Sequence, residues 1–142
     1  MDIATKFIEA CESGDLSAAR RYLEQGANIH AYDDYALLWS ANHGHLEVVK
    51  YLIEHGANIH ARGDLALRWA VNYGHLEIVK YLIKQGANIH AYNDHALRWA
   101  TYYGYLEMVN YLRKVAGNKY KCHKCIIRST CLELCEDFRN EH

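Results

Sequence analysis

The chain has 142 residues and a formal net charge of −1, with 16 Lys and Arg residues against 17 Asp and Glu residues. This length allows one compact domain or a short repeat array, and the balanced charge gives no strong field toward nucleic acid or membranes. A hydrophobic fraction of 51% argues against disorder, and no stretch reaches the roughly 20 apolar residues of a membrane helix.

Two motifs recur with a spacing of 30 residues. The first runs from Gly26 to Ala31 and returns at Gly56 and Gly86. The second runs from Gly44 to Ile53 and returns at Gly74, with weaker copies at Gly14 and Gly104. Self-similarity at a fixed period of this length is typical of solenoid proteins. The array spans residues 1–114, in units of approximately 1–32, 33–62, 63–92 and 93–114.

Each unit predicts two short antiparallel helices. The segment from Met1 to Gly14 predicts the first helix, with Ile3, Phe7 and Ile8 turned inward. In a later unit, Gly56 directly follows a helical pattern and suits the left-handed residue that ends a helix. The apolar residues of that pattern are Leu46, Val49, Leu52 and Ile53. Neither helix buries its apolar face alone, so stacking between units supplies the stability.

The motifs Gly-His-Leu-Glu-Val-Val-Lys-Tyr-Leu-Ile and Gly-Ala-Asn-Ile-His-Ala resemble the second helix and outgoing loop of the ankyrin repeat. The resemblance implies an all-α ankyrin-repeat solenoid of about four helix-turn-helix units. The usual repeat has about 33 residues, and the three missing positions fall between Ala61 and Leu67, which implies shortened inter-repeat hairpins. Units of this length with Ala-Leu-Arg-Trp-Ala resemble the ankyrin families of giant DNA viruses of amoebae.

The resemblance also implies where partners bind, because ankyrin repeats contact them through hairpin tips and the exposed end of the first helix. Tyrosine occurs 12 times and gives large contact area for little side-chain entropy. We expect Tyr73 and Tyr103 to form a ladder on the concave face. The predicted partner-binding residues are Tyr32, Tyr35, Asn42, His43, Arg62, Leu65, Asn72, Tyr73, Tyr92, His95, Tyr102 and Tyr103.

Trp39, Trp69 and Trp99 recur at the same spacing. They could form a stacking platform for bases or sugars, but we favour a structural role in the groove between adjacent first helices. Arg68 and Arg98 are expected to bond to a neighbouring loop carbonyl or to stack on an aromatic ring.

The histidines and acids that recur in the turns could bind a metal ion or could stabilise the loops. Successive repeats lie about 10 Å apart, so His30, His60 and His90 cannot share one metal ion, and we expect them to stabilise loops. The acids expected to cap helices or to hold the hairpins are Asp33, Asp34, Asp64 and Asp94. The chain has no phosphate-binding loop, zinc-protease motif or nucleophile elbow, so we predict no enzymatic activity.

Residues 115–142 depart from the repeat and contain four of the five cysteines. We favour a C-terminal capping helix, because apolar positions there fall on one helical face. A zinc site is the alternative, since Cys122-x-x-Cys125 is a common ligand pair; disulfides are a third reading. The zinc candidates are Cys122, Cys125, Cys131 and Cys135.

The leading functional hypothesis is a protein–protein interaction module that binds through the concave face, as a monomer and without a cofactor. If the viral resemblance holds, the module is an adaptor for a host protein. The alternative is a nucleic-acid-binding protein that uses the basic C-terminal tail, with or without zinc. A third hypothesis is a solenoid that packs against its own copies. The N-terminus lacks a secretory pattern, so we expect an intracellular, cytoplasmic protein with no membrane segment.

Overall fold

The computed structural model describes residues 2–116, which form eight helices in four consecutive pairs. The predicted all-α solenoid is confirmed for this part of the chain, in which there is no strand. No helix within it is long and apolar enough to cross a membrane. The helices are α1 (Ile3–Ser13), α2 (Leu16–Glu24), α3 (Ala31–His43), α4 (Leu46–Glu54), α5 (Ala61–Asn72), α6 (Leu76–Lys84), α7 (Ala91–Tyr102) and α8 (Leu106–Ala116).

The helix ends follow the polar and glycine residues of the repeat. Helix α1 begins after Asp2, whose carboxylate accepts a hydrogen bond from the Thr5 amide at 2.8 Å. It ends at Gly14, which has the left-handed φ of 81° that glycine adopts without steric cost. Gly56, which follows α4, has a φ of 95°, so its predicted role as a left-handed residue is confirmed.

One continuous apolar core runs between the two helices of every repeat. The first helices α1, α3, α5 and α7 pack closely on one another, whereas the second helices make few contacts among themselves. Phe7 and Ile8 are buried as predicted, and Ile3 is half-buried. Each large apolar side chain removed from water contributes about 1.5–3 kcal/mol. The fully buried aliphatic residues include Leu37, Leu52, Leu67, Leu82 and Leu112.

The shortened inter-repeat hairpins take the form of a left-handed turn. In α3, α5 and α7 three consecutive residues have φ between 54° and 65°, and right-handed helix resumes after them. Non-glycine residues pay roughly 1–2 kcal/mol each for this conformation, so the turns need stabilising contacts. The turns are Tyr32–Asp34, Arg62–Asp64 and Tyr92–Asp94.

The last residue of each turn is an aspartate that supplies such contacts. The buried carboxylate of Asp34 accepts hydrogen bonds from His30 Nδ1 at 2.8 Å and from the backbone amide of Asn58 at 2.9 Å. It therefore ties its own turn to the loop of the following repeat. One repeat later, the same bonds join Asp64 to His60 at 3.1 Å and to the Asn88 amide at 2.5 Å. The predicted loop-stabilising role of these histidines is confirmed by this geometry.

A second contact between repeats forms at the other end of the first helices. His45 Nε2 donates to the carbonyl of Glu12 at 2.8 Å, and its ring lies against Gly14, where a Cβ would come within 2.6 Å. Glycine is therefore required for close packing as well as for its backbone angle. The contact recurs as His75 on Gly44 and Tyr105 on Gly74.

The last described repeat has a more exposed outer surface than the others. Leu106 is 74% exposed, whereas the equivalent Leu16, Leu46 and Leu76 are half-buried. The predicted capping helix and most of the segment 115–142 lie outside the described residues, so the cap and the unit boundaries stay predictions.

We expect Asp64→Ala to lower the free energy of unfolding by about 2 kcal/mol, because it leaves the Asn88 amide and the His60 ring without their acceptor. Asp33→Ala is the matched control. The Asp33 carboxylate belongs to the preceding left-handed turn, but its side chain is 78% exposed and its ion pair with Arg62 is long at 3.7 Å. We therefore expect the free energy of unfolding to change by less than about 0.5 kcal/mol. Urea unfolding followed by circular dichroism measures both values. Equal losses in the two variants would contradict the role given to the buried carboxylate.

Candidate functional site

The packing of the helices gives the solenoid two different faces. Because the first helices approach one another more closely than the second helices do, the array curves with the first helices on its inner side. We call the solvent-accessible surface of α3, α5 and α7, with their left-handed turns and with Tyr73 and Tyr103 at the ends of α5 and α7, the first-helix face. It is the concave face of the described repeats.

All twelve predicted partner-binding residues lie on the first-helix face, and none of them is buried. The exposed ones are Tyr32, His43, Arg62, Tyr73, Tyr92, Tyr102 and Tyr103. The half-buried ones are Tyr35, Asn42, Leu65, Asn72 and His95. Whether these residues contact a partner stays a prediction.

Exposed tyrosines are confined to this face among the described residues. Tyr32 and Tyr92 are 64% and 60% exposed in the turns, and Tyr73, Tyr102 and Tyr103 are 59%, 75% and 49% exposed at the helix ends. The second helices carry tyrosines too, but these are half-buried. Tyr51, Tyr81 and Tyr111 lie beneath cations of neighbouring helices, and Tyr22 lies beneath Arg21 of its own helix.

The tryptophans lie between the first helices, at the base of the first-helix face. Trp39 and Trp69 lie in contact, with ring centroids 5.4 Å apart, so they fill the space between adjacent first helices as predicted. Each tryptophan is only half-buried, however, and Trp39 also touches the rings of Tyr35 and His43 at 5.5 and 5.2 Å. The tryptophans are not among the predicted partner-binding residues, although their exposed parts belong to the same face. Their 30-residue spacing, equal to that of the tyrosines, is the sequence pattern that indicates this position.

The aromatic side chains are densest on α7. The ring of Trp99 lies 5.3 Å from His95, 5.4 Å from Tyr102 and 5.5 Å from Tyr103. Tyr103 in turn stacks on Tyr105 at 5.7 Å. These rings therefore form one contiguous aromatic cluster at the end of α7.

Two arginines are fixed beside the aromatic rings. Arg68 donates from Nε to the Gly63 carbonyl at 3.1 Å and from Nη2 to the Arg62 carbonyl at 2.9 Å. Its guanidinium also lies 3.9 Å from the ring centroid of Tyr92, which belongs to the next repeat. Arg98 bonds the equivalent carbonyls of its own turn at 2.8 and 2.9 Å. The predicted bonds to turn carbonyls are present for both arginines, and the predicted contact with an aromatic ring is present for Arg68.

His95 is uncharged at neutral pH. Burial, together with the positive charges of Arg68 and Arg98, lowers its pKa from the usual value near 6.5 to about 4. Its Nε2 lies 3.1 Å from the Asn72 side-chain oxygen, so the neutral ring bridges two repeats.

The described residues offer no group suited to metal or thiol chemistry. Between residues 2 and 116 no cluster of three or more His, Cys, Asp and Glu side chains could hold a metal ion. Cys11 is buried, and burial raises its pKa to about 12, so its thiolate is not accessible at neutral pH. The zinc candidates Cys122, Cys125, Cys131 and Cys135 lie outside the described part of the chain.

Comparison with known families gives one match. A family model of ankyrin repeats (3 copies) matches residues 7–93 and 63–124, which together include all four described helix pairs except the start of α1. No curated protein matches the chain.

We expect the His95 ring to titrate with a midpoint near pH 4, well below the usual histidine value of about 6.5. Below pH 6.5 the unfolded chain takes up a proton here that the folded chain does not, so the free energy of unfolding falls as the pH drops from 6.5 to 4. Since the ring is partly exposed, we expect this contribution to be about 1 kcal/mol. Ring-proton NMR gives the midpoint, and urea unfolding at pH 7 and pH 5 gives the stability.

His95→Gln is the control for this pH dependence. It removes the titrating group but keeps a hydrogen-bonding side chain, so its stability should fall less between pH 7 and pH 5. A His95 midpoint close to 6.5 would contradict the predicted influence of burial and of the two arginines.

Proposed function

This chain belongs to the ankyrin-repeat family, and we propose that it binds another protein through its first-helix face. The observation that carries the proposal is the placement of the five exposed tyrosines of the described repeats, all of them on that face. Ankyrin repeats generally mediate protein–protein interaction.

The chemistry of the face supports binding in two ways. Tyrosine presents a large amphipathic surface with only two side-chain torsions, so little entropy is lost when a partner covers it. The rings are also positioned by their neighbours, as Trp99 is by Tyr102 and Tyr103. Aromatic residues and arginine are the types that most often dominate the energy of protein interfaces.

The finer proposal is a monomeric adaptor that binds and does not catalyse. Its 30-residue units and the Ala-Leu-Arg-Trp-Ala motif support a viral origin. In that setting the first-helix face would hold a host protein in the cytoplasm, and the segment 115–142 would engage a second partner.

The nucleic-acid alternative depends on basic residues and cysteines that mostly lie beyond residue 116. It stays a prediction, and salt separates it from protein binding. Affinity for DNA or RNA falls steeply between low and physiological salt, because phosphate contacts release counterions.

The proposal predicts that Tyr73→Ala/Tyr103→Ala weakens capture of the partner at least tenfold, because two exposed aromatic contacts are removed from the face. The intact chain and the variant, each immobilised at equal density, are used for affinity capture from cell lysate, and recovered proteins are quantified by mass spectrometry. Circular dichroism verifies that the variant is folded.

Glu47→Ala/Glu77→Ala is the matched control, since these side chains are 74% and 71% exposed on second helices with the same spacing. It should recover the partner as well as the intact chain does. The proposal is wrong if the tyrosine variant recovers the same proteins as the intact chain, or if the glutamate variant loses them instead.

A further inference from the structure

Charge is distributed unequally between the two faces of the solenoid. The segments 35–43, 65–73 and 95–103 cover the right-handed parts of α3, α5 and α7 and the residue after the last two helices. They contain two arginines and no Asp or Glu. The exposed acids of the later repeats lie on the second helices, apart from Asp33 at one turn, where it pairs with Arg62 at 3.7 Å. The right-handed part of the first-helix face is therefore aromatic and carries two arginines. In the turns, Arg62 stands against four aspartates, three of which have side chains at most 16% exposed and bond to histidines: Asp34, Asp64 and Asp94.

The two arginines are held in a geometry that suits carboxylates. Each guanidinium has five N–H groups, and its bonds to the turn carbonyls use Nε and Nη2. Donors therefore remain for a ligand. Because the side chains are already fixed, little rotamer entropy is lost on binding. Charge-assisted bonds from arginine to a carboxylate are about twice as strong as neutral ones.

Both arginines act on the same neighbouring side chain. Burial and their positive charges together disfavour protonation of His95. The neutral imidazole keeps a hydrogen-bonding nitrogen and adds no competing positive charge beside the arginines. A carboxylate bound to each arginine would neutralise its charge.

The period of the solenoid sets the spacing of the ligand charges. Arg68 and Arg98 occupy equivalent positions in adjacent repeats, which lie about 10 Å apart. An extended chain advances about 3.3 Å per residue, so three residues span this distance. In the polyproline II conformation, side chains three residues apart also point the same way.

We infer that the first-helix face binds an extended, acidic segment of its partner protein, with two carboxylates three residues apart on Arg68 and Arg98. The intervening residues lie on the rings of Trp69, Trp99 and Tyr103. This inference rests on the proposed function and adds the chemistry of the partner.

A protein segment fits the face better than a nucleic acid does. The lysines of the described repeats lie on α1 and on the second helices, so the first-helix face carries arginines alone. A groove that follows a phosphate backbone needs a cation near most nucleotides. Two fixed guanidiniums instead match two separate carboxylates.

The test is selection of random 12-residue peptides by phage display on the intact 142-residue chain. We expect enriched peptides to carry Asp or Glu pairs three positions apart. Changing both acids of an enriched peptide to amides should weaken binding at least tenfold in fluorescence anisotropy. This measurement uses the unaltered protein and does not depend on the folding of a variant.

Arg68→Gln/Arg98→Gln should lose the same peptides. Lys50→Gln/Lys80→Gln removes two charges at the same spacing from second helices and should retain them. A labelled 12-nucleotide oligothymidylate tests the other class of ligand, and we expect it to bind more weakly than the selected peptide.

Enrichment of neutral or basic peptides, or no enrichment at all, overturns the inference, as does tighter binding of the oligothymidylate. The proposed function is still supported if affinity capture recovers a protein whose binding requires Tyr73 and Tyr103. If that capture also fails, both proposals are wrong.

Discussion

The buried carboxylates of Asp34 and Asp64, each at the end of a left-handed turn, make the contacts on which the repeat geometry depends. A run of three left-handed residues, as in Tyr32–Asp34, is unfavourable for residues other than glycine. The turn persists because Asp34 accepts from His30 in its own repeat and from the amide of Asn58 in the next. A side chain without an acceptor at this position would leave the Asn58 amide without a partner. The same group thus stabilises the turn and sets the position of the following repeat.

A second constraint acts at the opposite end of each first helix, where a ring of the next repeat lies on a glycine. The His45 ring on Gly14 and the His75 ring on Gly44 leave no room for a Cβ. With the aspartate at one end and the glycine at the other, adjacent first helices are held at both ends. The second helices lack such contacts and lie further apart, so the array curves and the aromatic side chains of successive repeats form one surface.

The sequence predicted the period, the helix pairs and the helix-ending glycines, because these depend on contacts within one unit or on exact repetition. It did not predict the left-handed turns, since Tyr32 and Arg62 carry no local signal for a positive φ. The contact between Arg68 and Tyr92 follows from that turn, which brings two residues 24 positions apart together. The half-exposure of Trp39 also escaped prediction, because a large apolar residue on a first helix suits either the core or the surface.

The exposed tyrosines are not spread evenly along the face, and this bears on where binding energy would be concentrated. The helix end carries Asn42 and His43 in the second repeat, Asn72 and Tyr73 in the third, and two tyrosines in the fourth. Arg68 and Arg98 belong to the third and fourth repeats, whereas the equivalent second-repeat position is the buried Leu38. Interface energy usually resides in a few clustered aromatic and arginine residues. The third and fourth repeats therefore hold the chemistry for recognition, and the first two supply the stacked core on which those side chains are positioned.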